Sequence, residues 1–192
     1  MMVKICGITT SADAEICAEA GASALGFNFY PKSPRYVEPD AAAKIVSTVP
    51  AGVWKVGVFV NEAAETIERV SRQAGVDIAQ IYGGACPQGV RVWRACAITG
   101  FSAAALEGAE AVLVDTPSGS VYGGTGETFD WRQARGLGPR LILAGGLDAT
   151  NVRAAIEAAR PWGVDACSRL ESSPGRKDRE KVRRFIEAAV GA

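Results

Sequence analysis

The 192-residue chain contains no histidine. That absence excludes every mechanism built on imidazole, including Ser-His-Asp and Cys-His nucleophiles, the H-E-x-x-H zinc site and the zinc deaminase motif. Carboxylate, thiol, amine and backbone groups remain. Long apolar runs are missing too, and none approaches the roughly 18 residues of a membrane span. The opening MMVKICGITT turns polar too soon for the apolar region of a signal peptide. Cys6, Cys17, Cys86, Cys96 and Cys167 are an odd set without a C-x-x-C pair, which argues against a zinc knuckle and a disulfide scaffold. A cytoplasmic chain is expected. No charge of one sign dominates: 21 Lys and Arg face 21 Asp and Glu. Scattered along the sequence, they leave no electrostatic footprint for nucleic acid or an anionic membrane, and a small molecule is the expected partner.

What the chain does have is a hydrophobic fraction of 48% and 22 glycines, the composition of one soluble domain spanning 1–192. Short β-branched and aromatic runs alternate with stretches of helical period, the pattern of βα units building a parallel sheet. Strands are expected at Val3–Ile8, Leu25–Tyr30, Val53–Val60, Ile78–Tyr82, Val90–Ala97, Ala111–Asp115, Arg140–Ala144 and Val164–Cys167. Eight strands close a barrel. Helical patterns fall at Ser11–Ala20, Asp40–Val49, Glu62–Ala74, Ser102–Glu107, Asp130–Arg135, Asn151–Ala159 and Arg179–Val190, with Ser11, Asn61 and Thr150 as candidate caps. Only GGACPQG separates Tyr82 from Val90, so the fourth unit has no room for its helix. The expectation is a compact (β/α)8 TIM barrel, class α/β, lacking that helix, with Val90, Val92 and Trp93 exposed unless a loop or a second copy covers them. An open doubly wound sheet is the alternative, disfavoured because no G-x-G-x-x-G follows the first strand.

Barrel pockets lie at the carboxyl ends of the strands. Read in order, those ends offer Cys6, Arg35, Gln80, Asp115, Gly145 with Gly146, and Asp165 to Ser168. Period-2 alternation puts Lys4 and Cys6 on one strand face, the thiol about 7 Å nearer the mouth. The ammonium would favour thiolate there, although a lone strand cysteine can equally be inert core. Asp115 ends the apolar run AVLVD and must leave the core at the mouth, as a functional acid or as a helix cap. Beyond it lies a long glycine-rich loop containing Gly123 and Gly124, whose backbone can approach a ligand. Gly145 and Gly146 follow a strand and precede a helix, which suits phosphate and also suits a plain turn.

The phrases VKICGIT, LGFNFYPKSPRYV, KVGVFVN, LVDT with GGTGETFDW, LAGGL with NV, and SPGRKD together resemble the phosphoribosylanthranilate isomerase family of tryptophan biosynthesis across essentially the whole chain. The resemblance implies a (β/α)8 barrel that performs an Amadori rearrangement with neither metal nor organic cofactor. It implies Cys6 as general base and Asp115 as general acid. Arg35 would hold the anthranilate carboxylate, and Gln80, Gly123, Gly124, Gly145, Gly146, Asp165 and Ser168 would contact substrate. A monomer or homodimer is expected.

Two departures stand out. The family's Q-L-H-G is QIYG here, so Tyr82 replaces a histidine. Its D-x-S-S-G-V-E is DACSRLE, so Cys167 replaces a serine and Arg169 a glycine. A side chain in place of that glycine would carry strain if a positive φ were kept; Arg169 would strengthen phosphate binding if it pointed inward, and is expected instead to point outward, distorting the loop or pairing with Glu171. Competing readings are a histidine-pathway or bifunctional sugar isomerase, opposed by Cys6, and a degenerate phosphosugar-binding barrel, opposed by the joint presence of Cys6 and Asp115.

Overall fold

A computed structural model describes residues 1–102, 107–116, 128–138 and 140–191. Eight parallel strands close into a barrel in chain order. They are β1 (Met2–Cys6), β2 (Ala24–Asn28), β3 (Trp54–Val60), β4 (Ile78–Tyr82), β5 (Arg91–Ala97), β6 (Ala111–Asp115), β7 (Leu141–Leu143) and β8 (Gly163–Ala166). β8 returns to pair with β1, placing Lys4 beside Asp165. Most strand residues are buried, since one face meets the barrel interior and the other the helices.

Helices α1 (Ser11–Glu19), α2 (Pro39–Val46) and α3 (Ala64–Ala74) follow the first three strands, α4 (Val152–Ala159) follows β7, and α5 (Arg179–Val190) ends the chain. α1 is capped by Thr10, whose side chain accepts from the Asp13 N–H, and Ser11 is already helical. Asn61 instead turns the chain out of β3 at φ 52°, two residues before the Ala63 cap. Thr150 gives its hydroxyl to Asp148, and Asn151 takes the cap position of α4. Asp130–Arg135 forms only a 3-10 turn, Trp131–Ala134. Of the Ser102–Glu107 pattern, residues 103–106 lie outside the described residues.

No helix separates β4 from β5, as the spacing requires. The loop 83–90 covers the outer face instead. Arg94, on β5, donates to Gly84 O at 2.7 Å and Gly83 O at 3.3 Å, and Gln88 N donates to Glu68 of α3 at 2.7 Å. Val92 is therefore buried and Val90 partly buried. The expected exposure of Trp93 is wrong for a different reason: strand alternation points it into the barrel, where it is 1% exposed. There it forms an apolar floor with Trp54 and Trp162, ring centroids 5.9 to 6.1 Å apart.

A hairpin absent from the expected elements lies between β8 and α5. Its strands are β9 (Glu171–Ser173) and β10 (Arg176–Lys177), turned by Pro174 and by Gly175 at φ +78°, the residue pair a type II turn asks for. Among the described residues no helix is long and apolar enough to cross a membrane.

Candidate active site

Above the tryptophan floor the inward positions become polar. Lys4, Cys6, Gln80, Tyr82, Asp115 and Asp165 point upward from β1, β4, β6 and β8, and all but Lys4 line a cavity of about 430 Å³. Arg35 enters from the loop after β2, Gly145 and Gly146 from the loop after β7, and Cys167, Ser168 and Arg169 from the loop after β8. The fold thus gathers every sequence-derived candidate except Gly123 and Gly124, which lie outside the described residues.

The inner end of the site is a buried ion pair: Lys4 Nζ lies 2.8 Å from Asp165 Oδ1, and the Lys4 side chain is wholly buried. Gly26, paired with Cys6 across β1 and β2, makes the room. A Cβ there would stand 2.8 Å from Cys6 Sγ and 3.2 Å from Lys4 Cε. Burial pushes the Asp165 carboxyl up to about 7 against the pull of Lys4, with the nearby Cys6 sulfur adding to the rise.

Cys6 and Asp115 are shifted in opposite senses. A hydrogen bond from Cys167 holds the Cys6 thiol well below its ordinary range; burial opposes this, and the Lys4 and Lys177 ammonium groups reinforce it. Burial pushes Asp115 up to about 6. The Thr116 N–H, 2.7 Å from Asp115 Oδ1, and the Tyr82 hydroxyl both hydrogen-bond the carboxylate and limit that rise. A thiol biased toward thiolate and a carboxyl biased toward its protonated form, facing one cavity, can serve as base and acid.

Gln80 is 1% exposed and its Oε1 has no hydrogen-bond partner, so a buried acceptor lines the cavity. Gly145 and Gly146 adopt φ +94° and +60°, the left-handed backbone region, beside Asp115 and Thr116. That conformation brings bare backbone to the rim, where an anion can meet N–H groups.

Sequence reasoning missed the hairpin's contribution. Glu171 receives Arg35 in a two-pronged bond, Nε to Oε1 and Nη2 to Oε2, both at 2.8 Å. The same Oε1 accepts from buried Lys177 at 3.0 Å. SPGRKD and DACSRLE contain these residues, but only the turn at Gly175 brings Lys177 back over Glu171. The expected pairing of Arg169 with Glu171 is therefore wrong, because Glu171 is already engaged by two cations. Arg169 lies 3.3 Å from Asp148 instead, half-exposed. It belongs to a 3-10 turn (Ser168–Leu170) and has no positive φ, so the expected strain is absent.

Fold and site define a (β/α)8-barrel enzyme with its pocket at the carboxyl ends of its strands. The chain matches the model of the N-(5'-phosphoribosyl)anthranilate (PRA) isomerase family over residues 3–188, and it belongs to that family. The isomerase of that name from Solibacter usitatus is 49% identical over 199 residues, spanning 100% of this chain and 98% of the relative. The crystal structure of phosphoribosyl anthranilate isomerase from Thermotoga maritima is 38% identical and superposes with a TM-score of 0.88, covering 100% of both chains. Another structure of such an isomerase, 36% identical with a TM-score of 0.84 and the same full coverage, is in complex with reduced 1-(o-carboxyphenylamino)-1-deoxyribulose 5-phosphate.

Proposed function

We infer that this barrel catalyses the Amadori rearrangement of N-(5-phosphoribosyl)anthranilate to 1-(2-carboxyphenylamino)-1-deoxyribulose 5-phosphate, a step of tryptophan biosynthesis. The observation that carries the reading is the opposed pair facing one cavity: Cys6 biased toward thiolate and Asp115 biased toward the protonated acid. Asp115 gives its proton to the furanose ring oxygen as the bond from that oxygen to C1′ breaks, leaving a Schiff base to the anthranilate nitrogen. Cys6 then removes the proton on C2′, whose electron pair forms the C1′–C2′ double bond. The resulting enolamine tautomerises to the 1-amino-2-ketose. General acid–base catalysis of this kind is worth about 10²–10⁴-fold per group.

The remaining candidates bind. Arg35 keeps Nη1 clear of Glu171 and offers it to the anthranilate carboxylate, while Glu171 fixes the guanidinium plane. Gln80 Oε1 accepts from a substrate hydroxyl or amine. Gly145, Gly146 and Ser168 take the phosphate, and Gly123 and Gly124, which lie outside the described residues, are kept as substrate contacts on the sequence resemblance alone. Asp165 anchors Lys4 beneath the sugar. The working form is a monomer or a homodimer. The working unit is a single cytoplasmic domain spanning 1–192, with a small phosphorylated substrate and no cofactor or metal. The test is the fluorescence assay with freshly made phosphoribosylanthranilate, joined to complementation of a tryptophan auxotroph. Binding of a product analogue without turnover in either assay would leave a phosphosugar-binding barrel instead.

A further inference from the structure

Arg169 stands where the family carries a glycine, and the chemistry above gives it no role. It lines the cavity one residue past Ser168. β7 and β8 are neighbours in the barrel, so the loops that follow them leave the sheet side by side. Arg169 spans the two. From the β8 loop its Nη1 reaches Asp148 Oδ2 on the β7 loop at 3.3 Å, so the side chain runs along the rim. The β7 loop is braced from within. Asn151 accepts from the Asp148 N–H at 2.9 Å and donates Nδ2 to Gly146 O at 2.8 Å, while Thr150 N donates to Asp148 Oδ1 at 2.8 Å. Asp148 and the glycine turn thus form one unit, and the guanidinium is delivered to its edge.

Positive charge is what that edge otherwise has little of. Among the described residues lining the cavity, the cations are Lys32, Arg35 and Arg169. Lys32 and Arg35 both belong to the loop after β2, which β1 separates from β8, and Arg35 is held by Glu171 in two bonds at 2.8 Å. The β7–β8 rim has Arg169. Its contact with Asp148 is long for a charge-assisted bond, and the Arg169 side chain is 47% exposed, so solvent weakens the pair. A phosphate carries more charge than that carboxylate and matches the guanidinium fork in two parallel bonds.

We propose that Arg169 is a phosphate-binding residue of the substrate site, its guanidinium supplying the phosphate seated on Gly145, Gly146 and Ser168 with the positive charge that the family's glycine cannot. The proposal rests on the reading of those three residues as the phosphate seat. The phosphate is remote from C1′ and C2′ and charged throughout the reaction, so Arg169 holds ground and transition states alike.

The test is calorimetric titration of the intact protein with reduced product and with the same compound after removal of its phosphate. Wild type is expected to prefer the phosphorylated ligand. Arg169→Met keeps an unbranched stem without the charge, and should weaken the phosphorylated ligand about tenfold or more while leaving the other within about twofold. Arg169→Gly restores the family's residue and should show the same selective loss, which guards against a fault peculiar to the methionine variant. In turnover, KM should rise by the same factor with kcat within about twofold of wild type. An unchanged affinity for the phosphorylated ligand in either variant, or a loss shared equally by the two ligands, overturns the proposal. If wild type already holds the two ligands alike, the phosphate seat itself is misread and the proposal falls with it.

Discussion

At the scale of single residues, position along a strand decides what a side chain can do. Cys6 ends β1 and Asp115 ends the otherwise apolar β6, and burial there makes a hydrogen bond or a neighbouring charge count for more than it would in water. Cys6→Ser is expected to lose about 10²–10⁴-fold in kcat with the fold intact, because a serine hydroxyl is too weak a base near neutrality. Circular dichroism checks the fold and the fluorescence assay checks the loss. As the proposed general acid, Asp115 must be protonated to act, so kcat/KM should decline as pH rises through about 6. The Tyr82 hydroxyl favours the charged carboxylate. Tyr82→Phe should therefore move that basic limb to higher pH, and a limb moved downward would refute the contact. Asp115→Asn should show no turnover at any pH while still binding a product analogue. These residues were legible in the sequence because strand ends are. Lys177, Glu171 and the true partner of Arg169 were not: Arg35 and Glu171 lie 136 positions apart, and no local pattern joins them.

At the scale of elements, the barrel's seam between β8 and β1 rests on the Lys4–Asp165 pair, whose side chains are 0% and 9% exposed. Replacing one partner leaves the other buried and unpaired, so Lys4→Met is expected to lower unfolding stability by roughly 3–5 kcal/mol. The double variant Lys4→Met, Asp165→Asn should recover part of that loss, since an amide leaves no charge to desolvate. Urea unfolding with an unchanged m value measures both. The eight strands were legible because each is a short, mostly apolar or alternating run between turn residues, with boundaries displaced by only a residue or two. The β9–β10 hairpin escaped because two and three residues are too few to show a period. The face of Trp93 was misjudged although alternation held the answer. The missing fourth helix suggested exposure, whereas the side chain follows the pleat and turns inward.

At the scale of the whole molecule, the barrel is divided along its axis into an indole floor and a polar mouth. Three of the four tryptophans form that floor, Trp54 and Trp162 stacked and Trp93 edge-on to both. Packed this closely, they exchange excitation and emit as one source. The aminobenzoate ring of the proposed product absorbs in the near ultraviolet, where indoles emit, and its place is the other end of the same barrel. The protein thus holds an optical donor at a fixed depth below the acceptor it binds. Titration with reduced product should quench indole emission and excite the ligand in its place, while Trp93→Phe should weaken that transfer without emptying the mouth. The structural plug of the barrel is in this sense also a gauge of whether the mouth is filled.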